Sequence, residues 1–403
     1  MLVEFSVENY LSFKERVTFS MLASSDKEHE DANVITLENG KRYLKTAAVY
    51  GANASGKSNL LKAMSFLATF VRESHQKQIG TPTGVIPFKL DTDCLNKPSK
   101  FDIIFYNGGV RYAYGFSATD KTVVEEYLYY YPNGRQSIIF ERANINEYRF
   151  TDDKEKQNSI KMHNTENKLY LSTAANWNYE KVRQAFNWLK SFYSYDDRRA
   201  YLATIFKYLF ASSDCINLVI KWIQSIDTGI IDITIDESLA YLDKDVRSEF
   251  FRYIDTYHNM YANGLINKVK FSMLEESEGT RKFFLLAIVL ANSIYYGGHV
   301  TLVDEMDTHL HPLLLKYIVE IHNNSEKNPF NAQLIFTAHD ANLLDLDLFR
   351  RDQIWFTEKN PNTGATDLFS LYDFGVRKDV NIEKGYLIGR YGAIPFIGGN
   401  IHG

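Results

Sequence analysis

The residues from Gly51 to Ser58 have the types and spacing of a phosphate-binding loop, the P-loop. They read Gly-Ala-Asn-Ala-Ser-Gly-Lys-Ser, which matches the pattern G-x-x-x-x-G-K-S. Glycines let successive N–H groups and the start of the next helix face an anion. Lys57 supplies a charge for the β- and γ-phosphates, and the Ser58 hydroxyl is placed to ligate Mg²⁺. The predicted nucleotide contacts are Gly51, Ala52, Asn53, Ala54, Ser55, Gly56, Lys57, Ser58 and Asn59.

The flanking segments favour a P-loop over a chance glycine turn. The apolar run 47–50 predicts a strand that enters the loop. After the loop, Leu60, Leu61 and Met64 recur at helical spacing, which predicts a helix that ends near Arg72. Strand, loop and helix in this order are the context that the motif requires.

A second group of residues follows an apolar run that begins at His299 and ends with Asp304 and Glu305. An apolar strand that ends in two acids is the Walker B pattern. Asp304 is predicted to hold Mg²⁺, directly or through water, and Glu305 to act as general base on the attacking water. A plain acidic turn is the alternative, which the upstream P-loop disfavours.

Two further segments resemble parts of the same machinery. Ser277 and Gly279 precede an apolar helix, whose N-terminus presents N–H groups and a positive dipole end to an anion. A simple helix cap is an equally good interpretation of this segment alone. His339 follows the apolar run 333–337. A histidine at a strand end is more often structural, but its place after Glu305 suggests a γ-phosphate sensor.

Composition limits the class of protein. The 403 residues, 45% hydrophobic and 24% charged, predict a soluble globular protein. The net charge of −5 argues against a globally basic nucleic-acid binder and leaves a local basic patch open. Cys94 and Cys215 lack metal-ligand spacing, which favours a reducing compartment. With no signal peptide and no apolar run of about 20 residues, we expect a cytoplasmic protein without a membrane segment.

The strand and helix patterns predict an α/β fold interrupted by a helical insertion. A strand over residues 2–9 pairs with one over 13–22, and a β-meander occupies 101–150. A loop is expected over 151–168 and helices over 176–258, interrupted near 229–233. The predicted domains are an N-terminal lobe with the P-loop and meander (1–150), a mainly helical insertion (151–265) and a C-terminal lobe with signature, Walker B and switch histidine (266–403).

The order of P-loop, Ser-x-Gly-Thr, Walker B and strand-terminal histidine resembles that of ABC-type ATPases. The chain is similar to the SMC-like and OLD-like branch, and most of all to prokaryotic abortive-infection ATPases of the AbiL/RloA kind within the AAA family. The segments that carry this resemblance are 7–13, 51–58, 87–88, 277–280, 303–305, 337–340 and 385–395.

The resemblance implies an ABC-ATPase head that forms a head-to-head homodimer with ATP and Mg²⁺ between the subunits. It implies that Ser277 and Gly279 close on the γ-phosphate from the partner and that Asp307 crosses the interface. The residues acting in cis would be Lys57, Ser58, Asp304, Glu305 and His339. Glu278 departs from the usual signature and predicts slow turnover, because it adds a negative charge near a triphosphate. The Q-loop glutamine stays open.

The function that the resemblance implies is ATP hydrolysis by a sensor or scaffold subunit of an antiphage, abortive-infection system. A separate effector protein, such as a nuclease or toxin, would be its partner, in a dimer or a larger assembly. An SMC-like DNA-repair or DNA-binding ATPase is the alternative, and nucleic acid stays open as a partner. A GTPase is disfavoured because Asn96-Lys97 and Asn267-Lys268 lack the Asp of a base-reading motif.

Overall fold

The strand that enters the P-loop lies inside a six-stranded sheet. The computed structural model describes residues 1–195, 213–236, 250–262, 264–296 and 300–395. The described strands are β1 (Leu2–Glu8), β2 (Val17–Ser20), β3 (Val34–Thr36), β4 (Arg42–Leu44), β5 (Thr46–Tyr50), β6 (Ser99–Asn107), β7 (Val110–Ala118), β8 (Val123–Tyr131), β9 (Ser137–Ala143), β10 (Glu147–Arg149), β11 (Phe192–Tyr195), β12 (Ile230–Ile235), β13 (Ile254–Ala262), β14 (Leu265–Ser272), β15 (Val300–Val303), β16 (Gln333–Thr337), β17 (Ile354–Lys359) and β18 (Thr366–Ser370).

The described helices are α1 (Glu30–Asn33), α2 (Lys57–Glu73), α3 (Thr92–Leu95), α4 (Lys154–Lys161), α5 (Tyr170–Asn176), α6 (Glu180–Leu189), α7 (Ser213–Gln224), α8 (Glu278–Tyr296), α9 (Pro312–Asn323) and α10 (Ile382–Leu387). The helix predicted to end near Arg72 is confirmed as α2. Within the described ranges, none of the helices combines the length and the apolar character that a bilayer crossing requires.

The six-stranded sheet has the order β11-β15-β16-β5-β17-β18 and is parallel except for β18. Every residue of β5, β15 and β16 is buried. Strands that are apolar along their whole length suit a parallel sheet, because helices or a second sheet cover both of its faces. The carboxyl ends of β15, β16, β5 and β17 therefore meet at one edge, where the P-loop and the Walker B acids lie. His299 falls outside the described residues.

An antiparallel sheet of order β10-β9-β8-β7-β6-β1-β2 forms the second layer. It confirms the predicted meander and the pairing of β1 with β2. The turn between β6 and β7 consists of Gly108 and Gly109, with φ values of 57° and 77°. Both lie in the left-handed region that a two-residue hairpin loop requires, and glycine enters that region without strain.

Two hydrophobic cores lie on opposite faces of the parallel sheet. Ala47 and Val49 of β5 face the core that α2 and the antiparallel sheet share. Ala48 and Tyr50 face the core formed with α8 and α9. The alternation follows from the two-residue period of a strand. The fold is therefore a mixed α/β architecture, as predicted, with the parallel sheet as its middle layer.

The region 151–265 differs from its prediction in three places, and its residues 196–212 and 237–249, expected to be helical, lie outside the described ranges. Residues 192–195, also expected to be helical, form β11 at the edge of the six-stranded sheet. Residues 254–258, expected to be helical, belong to β13 of a three-stranded sheet with order β12-β13-β14. Burial there alternates from Ile254 to Tyr257, which is a strand period. The segment expected to be a loop contains α4, whose only buried residues are Gln157 and Ile160. So polar a helix gives little periodic signal.

Candidate active site

The P-loop adopts a backbone that depends on glycine at two positions. Gly51 and Gly56 have φ values of 153° and 118°, and Ala54 has a φ of 63°. A Cβ atom on Gly56 would overlap the side chain of Thr366 on β18. The absence of a side chain therefore allows the loop to approach β18 closely, and α2 begins at the next residue, Lys57.

The Lys57 ammonium group is held inside the P-loop. Its Nζ atom donates to the carbonyl oxygens of Gly51 at 2.6 Å and Ala52 at 3.0 Å. Burial lowers the pKa of Lys57, and the nearby carboxylates of Asp304 and Asp307 oppose that shift. The positive charge therefore lies where an anion bound by the loop would meet it.

A cavity of about 730 Å³ opens over the P-loop. Its walls come from the P-loop and the start of α2, from the Walker B loop, from the loop that carries His339 (the switch loop), and from Ser12 and Lys359. Its lining residues are Ser12, Asn53, Ala54, Ser55, Gly56, Lys57, Ser58, Asn59, Glu305, His339 and Lys359. The structure thus brings the predicted phosphate loop, general base and sensor histidine to one space.

Thr337, the last residue of β16, holds both Walker B acids. Its Oγ1 donates to Asp304 Oδ1 at 2.7 Å and accepts the N–H of Glu305 at 2.7 Å. Its carbonyl oxygen accepts the N–H of Met306 at 3.0 Å. Glu305 has a φ of 48°, a left-handed conformation that costs about 1 to 3 kcal/mol outside glycine. The hydrogen bonds to Thr337 stabilise Glu305 in that conformation.

The Walker B loop is also joined to the loop that carries His339. Asp307 Oδ2 accepts the N–H groups of His339 and Asp340, both at 2.7 Å. His339 Nε2 lies 3.6 Å from Glu305 Oε1. One oxygen of Asp307 is therefore engaged within its own chain, while the interface role that the resemblance implies for Asp307 stays a prediction.

The signature residues lie at the N-terminus of α8 and outside the cavity. Ser277 Oγ accepts the N–H of Thr280 at 3.0 Å, as a helix cap does. A Cβ on Gly279 would lie 2.7 Å from the carbonyl oxygen of His309. Neither Ser277 nor Gly279 is among the described residues that line the P-loop cavity. Within one chain, the structure does not bring the signature to the P-loop.

Residues 254–258, predicted to be helical but found in β13, lie next to the signature. Glu276 Oε1, one residue before Ser277, hydrogen-bonds to His258 Nε2 at 2.7 Å and to Thr256 Oγ1 at 2.5 Å. Both partners belong to β13. These hydrogen bonds connect the three-stranded sheet to the start of the signature segment.

A magnesium site fits the oxygen donors of the loop region. No group of three or more His, Cys, Asp or Glu within the described ranges could hold a metal by itself. Mg²⁺ usually takes one or two protein oxygens together with phosphates and water. The Ser58 hydroxyl and the Asp304 carboxylate are donors of that kind, so a nucleotide-borne Mg²⁺ suits them.

Sequence reasoning missed the hydroxyl groups that support the P-loop from β17 and β18. Ser55 Oγ lies 2.6 Å from Thr357 Oγ1, and Thr366 Oγ1 donates to the Ser55 carbonyl at 2.7 Å. Asn59 Nδ2 donates to Ser12 Oγ at 2.8 Å. The sequence signal that could have indicated these hydroxyl groups is the strand pattern that follows His339, because a further parallel strand can pair with β5, the strand that enters the P-loop.

The fold and the cavity define a P-loop head of the ATPase type. The chain belongs to the family described as "AAA domain, putative AbiEii toxin, Type IV TA system", which matches residues 47–345. The match contains the P-loop, the signature, the Walker B acids and His339. The predicted membership of the AAA family is thereby confirmed. The chain matches no curated protein.

Among solved structures, the chain is similar to SMC head domains. The head domain from Thermotoga maritima is 11% identical with a TM-score of 0.43, over 92% of this chain and 98% of that chain. An SMC head bound to the C-terminal winged-helix domain of ScpA is 14% identical with a TM-score of 0.44, over 93% and 99%. A Pyrococcus furiosus head bound to the C-terminal domain of ScpA is 14% identical with a TM-score of 0.41, over 96% and 98%. Likeness at this level does not extend to function.

Proposed function

We propose that this chain binds ATP in the P-loop cavity and hydrolyses it slowly with Mg²⁺. The observation that carries the proposal is the cavity, in which Lys57 and Ser58 face Glu305 and His339. Phosphoryl transfer to water needs charge neutralisation at the phosphates and an acceptor for the proton of water. A phosphate loop opposite a carboxylate and a histidine meets both needs.

Each residue has a separate role in this proposal. Lys57 neutralises the β- and γ-phosphates, while Ser58 and Asp304 hold the metal that comes with the nucleotide. Glu305 takes a proton from the water whose oxygen attacks the γ-phosphorus, and His339 donates to a γ-phosphate oxygen. The bond from the γ-phosphorus to the bridging oxygen breaks, and ADP leaves with that electron pair.

The proposed active form is a homodimer in which the signature of one copy completes the cavity of the other. Ser277 is exposed, and Ser277 and Gly279 lie at the N-terminus of the long helix α8. Exposed N–H groups at such a helix end suit the γ-phosphate of a nucleotide held by a second copy. Asp307 is proposed to cross the same interface, as the resemblance implies. Glu278 keeps the contact weak and the turnover slow.

We propose further that the ATPase is the sensor or scaffold subunit of a prokaryotic antiphage system in the cytoplasm. The family description, which includes the words "putative AbiEii toxin, Type IV TA system", supports this setting. The described residues contain no group of three or more potential metal ligands, and the sequence shows no motif of a second catalytic centre, so a separate effector, such as a nuclease or toxin, would supply the output. ATP would control the effector because it stabilises the closed dimer more than the open one.

The test is the mass of the native assembly of the Glu305→Gln variant, purified from its own cell with and without ATP and Mg²⁺. The expected result is an ATP-dependent dimer, with turnover lost, that carries a discrete second protein. Hydrolysis at the wild-type rate would contradict Glu305 as the general base. A bare dimer that retains DNA would contradict the effector proposal and favour an SMC-like DNA-binding ATPase.

A further inference from the structure

The order of strands places His339 and Lys359 on opposite sides of the P-loop. β5 lies between β16 and β17 and is parallel to both. His339 follows β16, and Glu305 follows β15 beyond it, so the catalytic pair lies to one side of the P-loop. Lys359 is the last residue of β17 and lies to the other side.

Lys359 is a second cation in the wall of the P-loop cavity. Its side chain lines the cavity together with Ser12, Asn59 and the P-loop. The side chain is exposed, and its ammonium group makes no hydrogen bond or ion pair with the residues that the structure describes. Lys57, by contrast, is occupied by two carbonyl oxygens of its own loop. The Lys359 ammonium group therefore has its donors available to a ligand.

The positions of these groups fix the direction in which a nucleotide lies, given the proposed function on which this inference rests. The γ-phosphate must face Glu305 and His339, and the P-loop holds the β- and γ-phosphates. The rest of the molecule then extends away from the catalytic pair, toward β17. We infer that Lys359 binds the nucleoside monophosphate half of ATP, through an oxygen of the α-phosphate or of the ribose.

The chemistry of a lysine suits this half of the ligand. An ammonium group offers three N–H donors and a compact charge, and both the α-phosphate and the ribose hydroxyls present acceptor oxygens. Lys359 would thus be a binding residue rather than a catalytic one, with its effect on nucleotide affinity and not on the chemical step.

The experiment compares dissociation constants of ATP, ADP and inorganic pyrophosphate, which supplies only the β- and γ-phosphates, measured by titration calorimetry with Mg²⁺ present. Lys359→Ala is compared with Lys62→Ala, which removes the same charge from an exposed position on α2 outside the cavity. We expect Lys359→Ala to weaken the binding of ATP and ADP alike by about tenfold, the lower end of the range for one hydrogen bond to a charged group. Pyrophosphate should bind the variant and the wild type equally, and Lys359→Arg should restore most of the affinity for ATP.

The other outcomes are distinguishable. A loss confined to ATP would place Lys359 at the γ-phosphate and overturn the inference, as would an equal loss for all three ligands or no loss at all. Wild-type protein that binds none of the three would contradict the proposed function itself. Dideoxy-ADP distinguishes the two contacts. The tenfold difference in its dissociation constant between Lys359→Ala and the wild type persists if Lys359 contacts the α-phosphate and disappears if Lys359 contacts the ribose.

Discussion

Replacing Thr337 with valine removes one hydroxyl group that serves both Walker B acids. Valine keeps the shape of threonine, so the fully buried site stays filled. The change removes two hydrogen bonds of 2.7 Å: the one that the Thr337 hydroxyl donates to Asp304 and the one that it accepts from the N–H of Glu305. The N–H of Glu305 is then left without an acceptor. An unsatisfied amide of this kind costs about 1 to 3 kcal/mol, so we expect a stability loss near 2 kcal/mol.

The effect on turnover should exceed the effect on folding. Partners that orient a metal ligand typically contribute about 10- to 100-fold to metal affinity or activity. We expect Thr337→Val to lower kcat in this range and to raise the Mg²⁺ concentration needed for half-maximal rate, with little change in ATP affinity. The loss of ATP turnover follows because Asp304 and Glu305 are no longer held in place.

The assay is a steady-state phosphate-release measurement over a magnesium titration, with urea unfolding on the same samples. Thr337→Ser is the matched control, because serine keeps the hydroxyl group and loses only a methyl group. A valine variant that is folded and shows wild-type kcat and magnesium dependence would refute the reasoning. A serine variant as impaired as valine would show that packing, and not the hydroxyl group, is responsible.

Three other predictions concern the loop, the signature and the core. Lys57→Ala should abolish ATP binding by the otherwise folded protein in calorimetry, and retained affinity would contradict the P-loop assignment. Ser277→Arg should prevent ATP-dependent dimerisation in sedimentation experiments while one chain still binds ATP; loss of binding itself would argue against a role in the partner's site. Burial raises the pKa of Glu126 from 4.5 to about 7, so the folded state binds the proton more tightly than the unfolded state. The resulting stabilisation is complete below the unfolded pKa and is lost as pH rises through about 7, by up to about 3 kcal/mol. In urea unfolding between about pH 5 and about pH 8, Glu126→Gln should lose less stability than the wild type, and identical pH profiles would contradict the assignment.

The parts of the site that the sequence predicts are those in which short contiguous motifs carry the chemistry. The P-loop needs glycine at Gly51 and Gly56 for its backbone, and the acids Asp304 and Glu305 must follow an apolar strand directly. Such constraints are local, so they are visible in the residue order. The meander was predictable for the same reason, since each strand pairs with the next across a short turn.

The missed features depend on which distant strands become neighbours. Thr357, Thr366 and Lys359 reach the P-loop only because β17 pairs with β5, a pairing that local periodicity does not specify. The same holds for Thr337, whose hydroxyl group meets Asp304 because β15 and β16 are adjacent. The strand over 254–262 was assigned as helix at its start although its partner β14 follows directly in the sequence, with Ala262 paired to Leu265. The dipeptide Asn263-Gly264 between them was the sequence signal for a hairpin.

The links between the Walker B loop and the switch loop bear on how the active site is prepared for reaction. Four hydrogen bonds, from the amides of Glu305, Met306, His339 and Asp340, join the Walker B loop to the end of β16 and to the loop that follows it. Polar groups ordered in this way during folding do not have to reorient when charge develops on a reacting phosphate. The proposed base Glu305 and the proposed sensor His339 are therefore held by the fold itself, before any nucleotide binds.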